Sequence, residues 1–182
     1  MSTFLHEYAH TVHYRRAGNG YWVEYIEYII QNGGYGQKNS QGSGIVALGE
    51  GWANYLQREF TEDYYQNFRG TPPFTDVLAS RNLQQLENQF PNNFVPINTV
   101  PNAFNGQDII EGWIPAGFFY DMTDIGETTP IDDRVSGYTM QQLYLGLQGN
   151  VRTMQGYSDR ILDFNNFRQQ TEVEILRQEY GW

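Results

Sequence analysis

Cysteine is absent from the 182 residues, which excludes disulfides, thiolate metal sites and a cysteine nucleophile. Lysine occurs once, at Lys38, and with ten arginines gives 11 basic against 21 acidic side chains, a net charge of −10. A phosphate-tracking surface needs clustered cations, and the densest basic stretch here is Arg15-Arg16. Nucleic acid and anionic membranes are therefore not expected partners. No run of eighteen apolar residues is present, so no membrane span is expected. The first residues also lack the basic, apolar and small-residue succession of a signal peptide. Histidine is scarce as well: there are three, all within residues 6–13.

What remains is rich in aromatics and glycine, with 14 Tyr, 11 Phe, 4 Trp and 19 Gly, as in a globular chain with long polar loops. The length fits one domain, 1–182, able to bury a core without covalent staples. Helical periodicity is read over 2–17, with Leu5, Ala9 and Val12 as the apolar stripe, and over Tyr21–Gln31. A Gly, Asn, Gln and Ser-rich loop follows at 32–44, then a helix from Val46 to Phe60. Residues 61–104 are punctuated by Pro72, Pro73, Pro91, Pro96 and Pro101, with one short helix expected at Ser80–Gln89. An apolar helix is expected over Gln107–Asp124, kinked at Pro115, where a backbone donor is lost. Further helices are expected at Thr139–Leu147, at Ser158–Gln170 and in a last stretch to Tyr180. The fold class is mainly α.

His6-Glu7-Tyr8-Ala9-His10 fits the pattern H-E-x-x-H. Four residues are about one helical turn, so both imidazoles leave one face of the helix toward a common point. Neutral imidazoles suit zinc, and a third protein ligand leaves a fourth position for water. Glu7 is then placed as general base, taking the proton of that water as it attacks a carbonyl carbon. An amphipathic helix with two incidental histidines has the same five letters. The confinement of every histidine to residues 6–13 and the existence of a third ligand candidate, Glu50, argue for the metal.

Glu50 lies in Gly49-Glu50-Gly51-Trp52-Ala53-Asn54-Tyr55. This segment, following H-E-x-x-H, resembles the gluzincin metallopeptidases of the fungalysin and thermolysin branches, whose third zinc ligand is a glutamate on a downstream helix. The resemblance implies a zincin-like helical catalytic subdomain, zinc held by His6, His10 and Glu50, and a peptide or protein substrate. It also implies that Asn54, standing where the family has an aspartate, steadies a ligand histidine. Glu111-Gly112-Trp113 through Asp121 is similar, more loosely, to a tryptophan-bearing helix of fungalysins. The family habit further implies an extracellular, periplasmic or cell-surface location. Two departures shape the expectation. Residues 18–44 read as an insertion, since positions 11–49 separate His10 from Glu50. Most of the N-terminal β-rich part of the family, with its substrate-pairing strand, is lacking, so the chain is expected to be a fragment, a matured form or a mis-called start.

The longer pattern of metzincins is excluded, because position 13 is histidine rather than glycine and position 16 is Arg16. His13 lies two turns from His6 and is expected to pack rather than to ligate. With no histidine left to steady an oxyanion, a tyrosine is expected there, and Tyr120, Tyr138 and Tyr144 are the candidates. Trp113 reads as core or as a pocket wall. Asp121, Asp124, Glu127, Asp132 and Asp133 form an acidic stretch that could hold calcium, but it lacks the EF-hand spacing and reads as a solvated loop. Two functions stand beside each other: zinc-dependent peptide hydrolysis, endo- or aminopeptidase, and a metal-bearing but catalytically silent peptide-binding or structural module. A plain helical domain without metal is the third.

Overall fold

A computed structural model describes residues 2–64, 113–125 and 134–182. Six helices carry these residues: α1 (Ser2–Asn32), α2 (Gly44–Tyr64), α3 (Ala116–Asp121), α4 (Met140–Gly146), α5 (Met154–Phe164) and α6 (Gln170–Glu179). No strand occurs among the described residues, so the chain is mainly helical there. None of these helices is long and apolar enough to cross a membrane. The expected helix at Ser80–Gln89 lies outside the described residues.

α1 is two limbs joined at Gly18, whose φ of 76° and ψ of 177° fall in a region that essentially only glycine enters. The two helices expected at 2–17 and 21–31 are these limbs. The break turns the second limb back on the first. Trp22 meets the rings of His10 and His13 at 5.3 and 5.4 Å between centroids, and Tyr21 meets His13 at 4.5 Å. Ala17, Tyr21 and Tyr28 bury one face of the bend against Ile45, Val46 and Ile114.

α2 is the central helix, buried on every side from Ser43 to Arg58. A helix so enclosed needs apolar residues all round, and Ala47, Leu48, Trp52, Ala53, Tyr55 and Leu56 supply them. They meet Phe118 and Phe119 of α3, Tyr157 of α5 and Tyr180 beyond α6 in the main core. The few polar members of α2, among them Glu50, Asn54 and Gln57, are thereby held in fixed settings.

Two expectations need correction. The helix expected across Pro115 does not run through it: α3 begins at Ala116, directly after Pro115. Proline pushes the residue before it out of the α region, so Trp113 and Ile114 do not continue a helix into Pro115; residues 107–112 of the expected helix lie outside the described residues. The helix expected at Ser158–Gln170 is two helices. Thr153 caps α5 through the Gly156 N–H at 3.0 Å, earlier than expected. α5 then ends at Phe164, because Asn166, Phe167 and Gln169 take positive φ values. α4 starts as its sequence indicates, with Thr139 and Gln142 in a reciprocal capping box.

Candidate metal centre

His6 and His10 lie on the first limb of α1, one turn apart, with their rings 4.7 Å between centroids. Glu50, 1 % exposed, comes to them from α2. Its approach depends on the glycines that flank it. A Cβ at Gly51 would stand 2.8 Å from the Phe119 ring, and one at Gly49 would crowd Tyr21 and Tyr25. The G-E-G sequence thus lets α2 be packed closely on both sides of the carboxylate.

The three side chains meet at their tips. His6 Nε2 is 3.1 Å from His10 Nε2 and 3.3 Å from Glu50 Oε2, and His10 Nε2 is 3.4 Å from Glu50 Oε1. With ligand bonds of about 2.0–2.2 Å, the edges of a tetrahedral zinc site come to roughly 3.3–3.5 Å. The two imidazole nitrogens and the two carboxylate oxygens of Glu50 are thus spaced at 3.1–3.4 Å, close to those edges, as a triangle of side chains that could hold a small divalent cation. These residues are also the one cluster of three or more ligating side chains among the described residues.

Neutral partners surround the triangle. His6 Nδ1 donates to Gln57 Oε1 at 3.1 Å, and the Tyr25 hydroxyl donates to Glu50 Oε1. Burial opposes charge on both imidazoles. At His6 the Glu50 carboxylate, aided by Glu7 and Gln57, outweighs burial and raises the pKa above the usual histidine value. At His10 burial prevails over Glu50, and the pKa falls. Burial also opposes ionisation of Glu50, but bonds from His6 and Tyr25 and the charge of His10 hold its pKa below the ordinary carboxylate range. Burial and the Glu50 charge push the Tyr25 hydroxyl far up, so it remains a protonated donor.

The remaining expected residues fall in different places. Glu7 is exposed on α1, near enough for its charge to raise both histidines. His13 is outside the triangle; it is buried among Tyr21 and Trp22, and burial drives its pKa down to about 3. Asn54 does not steady a ligand histidine. Its side-chain N–H donates to the Glu50 carbonyl at 2.8 Å, and its Oδ1 accepts from Arg58 at 3.3 Å. A short amide on a helix bonds back one turn more readily than it reaches across to another helix.

Tyr138 gives its hydroxyl to the Arg168 carbonyl, with the Arg168 guanidinium over its ring at 5.2 Å. That places it among the C-terminal helices as a structural tie. Tyr144 stacks under Arg16, and Tyr120 packs half-buried against the main core. Trp113 rests on Trp182 at 6.1 Å. Asp121 accepts the Tyr180 hydroxyl at 2.7 Å inside the core, and no second cluster of ligating groups accompanies it or Asp124 among the described residues. Glu127, Asp132 and Asp133 lie outside the described residues.

Sequence reasoning missed Gln57 and Tyr25. Gln57 had a signal: it is seven residues after Glu50, two turns along the same helical face. Tyr25 had none, since its place depends on how the second limb of α1 folds back. No protein-family model, no curated protein and no solved structure matches this chain, so the reading of its centre rests on these side chains alone.

Proposed function

We propose that this chain hydrolyses peptide bonds with one zinc ion held by His6, His10 and Glu50, in the manner of a gluzincin peptidase. One observation carries the proposal: three ligating side chains from two helices converge, with contacts of 3.1, 3.3 and 3.4 Å among their two imidazole nitrogens and two carboxylate oxygens. Bound zinc supplies a Lewis acid that acidifies water and polarises a carbonyl. The protein's own groups do the rest. Glu7, one residue after the first imidazole, accepts the proton of the attacking water and passes it to the leaving amine. Tyr25 donates its single hydroxyl proton to the Glu50 carboxylate and so orients that ligand, while the oxyanion donor is left among the tyrosine candidates Tyr120, Tyr138 and Tyr144. The second limb of α1, which brings Tyr25 to Glu50 and Trp22 to His10, thus belongs to the site rather than to an idle insertion.

The test is zinc stoichiometry and peptide cleavage in wild type and in Glu7→Gln. Both proteins should carry one zinc per chain, and cleavage should fall in the variant by about 10²–10⁴-fold. Equal cleavage by the two proteins removes Glu7 from the mechanism, and absence of zinc from wild type removes the centre. A second reading, a zinc-bearing peptide-binding or structural module, is favoured by the exposure of Glu7. Stoichiometric zinc with no cleavage across a peptide library selects that reading.

A further inference from the structure

We infer that Gln57 is a positioning residue of the metal centre, which sets the tautomer and aim of His6; the inference rests on the zinc reading above. The argument starts from valence. An amide oxygen only accepts, so the contact between Gln57 Oε1 and His6 Nδ1 at 3.1 Å requires the proton on Nδ1. In the neutral ring the lone pair is then on Nε2, the atom that faces His10 Nε2 and Glu50 Oε2. Gln57 therefore selects the form of His6 that can bind a cation at the triangle. The opposite tautomer would point an N–H into it.

The setting makes this selection firm. Gln57 is 1 % exposed on α2, and the same helix carries Glu50 two turns earlier. One rigid helix thus contributes a ligand and also clamps a ligand from the helix opposite. His10 shows what the absence of such a clamp looks like. Among the described residues its Nδ1 is buried without a hydrogen-bond partner, and the rings of His6 and Trp22 border it edge-on. Ligand histidines generally donate their second nitrogen to a fixed acceptor, and loss of that acceptor typically costs about 10–100-fold in metal affinity. In this centre the acceptor is a neutral amide and it serves one histidine of the two. A carboxylate in its place would accept the same bond and make His6 a stronger donor to the cation.

The test uses the full chain, zinc affinity by chelator competition, the visible spectrum of the cobalt-substituted protein, and thermal melts of the metal-free forms. Gln57→Leu, similar in size but without an acceptor, should bind zinc about 10–100-fold more weakly and alter the cobalt spectrum. Gln57→Glu should bind zinc at least as tightly as wild type and restore the spectrum. A role confined to filling the core predicts lower melting temperatures with no change in affinity or spectrum. A folded Gln57→Leu protein with wild-type affinity overturns the inference, as does a Gln57→Glu protein weaker than wild type. Should Gln57→Leu not fold, the Glu variant alone decides. Wild type that binds no zinc defeats the centre itself, an outcome distinct from a failure of the Gln57 arm.

Discussion

The two ends of the molecule spend the same side chain in opposite ways. At the α1–α2 end, Tyr25 donates to the carboxylate of Glu50 and Gln57 accepts from His6, so both grip groups that can bind a cation. At the α3–α6 end, Tyr138 donates to the Arg168 carbonyl, Tyr157 to the Leu143 carbonyl and Tyr180 to the buried Asp121. Those three bonds satisfy backbone and core acceptors and tie helices together. In a chain with 14 tyrosines, residue type says little about where chemistry lies. The partner says more: a tyrosine on a backbone carbonyl is structural, and one on the Glu50 carboxylate belongs to the candidate centre.

The largest effect expected at the α1–α2 end concerns His13, which belongs to that end by position and to the core by function. Its pKa is held down to about 3 by burial, with the charges of His10 and Arg152 adding to the effect, against 6.5 for an ordinary histidine. The unfolded chain therefore binds a proton first as pH falls. The stability that the neutral ring contributes is complete above about pH 6.5 and is lost below it, at about 1.4 kcal/mol per pH unit, until roughly pH 3. Urea titrations of metal-free protein at pH 7, 6, 5 and 4 measure the slope. His13→Leu should flatten it between pH 6.5 and 4, and an unchanged slope would show that His13 is not the group responsible.

Tyr25→Phe tests the comparison at its centre. Its hydroxyl holds the Glu50 carboxylate, and loss of such a partner typically costs about 10–100-fold in metal affinity. The variant should therefore bind zinc that much more weakly by chelator competition, with little change in cleavage at saturating zinc. A variant with wild-type zinc affinity returns Tyr25 to the structural class and erases the difference between the two ends.

Gly18→Ala addresses what brings the second limb to the centre. No atom lies within 4 Å of an added Cβ, so the cost is one of backbone geometry alone. Holding a non-glycine residue at φ 76° and ψ 177° costs on the order of 1–3 kcal/mol. The melting temperature should fall accordingly, and zinc affinity should fall with it, because Tyr25 and Trp22 reach the triangle only through this bend. A drop in stability without loss of affinity would mean that the triangle forms without the second limb.

How much of this was legible follows from the range of each interaction. The His6–His10 pair is local, since one helical turn fixes its geometry, and the capping box of Thr139 and Gln142 is equally local. The limbs on either side of Gly18 were readable from apolar spacing, but the angle between them was not, and Tyr25 depends on that angle. Glu50 was found through its sequence segment. Asn54 was assigned from the same segment and misplaced, because a four-residue back-bond to the Glu50 carbonyl outcompetes a contact across helices. The end of α5 was missed for a different reason. Asn166, Phe167 and Gln169 adopt left-handed backbone without any glycine to announce it.

Tyr138→Phe gives the smallest expected effect and the cleanest contrast with Tyr25→Phe. The substitution keeps the ring, and with it the Arg168 guanidinium stacked at 5.2 Å and that group's bond to the Ser136 carbonyl at 2.7 Å. Only the hydroxyl bond to the Arg168 carbonyl is lost, in a partly buried setting. A neutral hydrogen bond of this kind is worth about 1 kcal/mol, which in a chain of this size lowers the melting temperature by about 2–4 °C. Zinc affinity and kcat should be unchanged, because the lost bond joins the segment before α4 to the turn between α5 and α6 and involves none of His6, His10 and Glu50. A fall in kcat with intact zinc binding would instead put Tyr138 among the reacting groups, and the division between a chemical end and a structural end of this molecule would not stand.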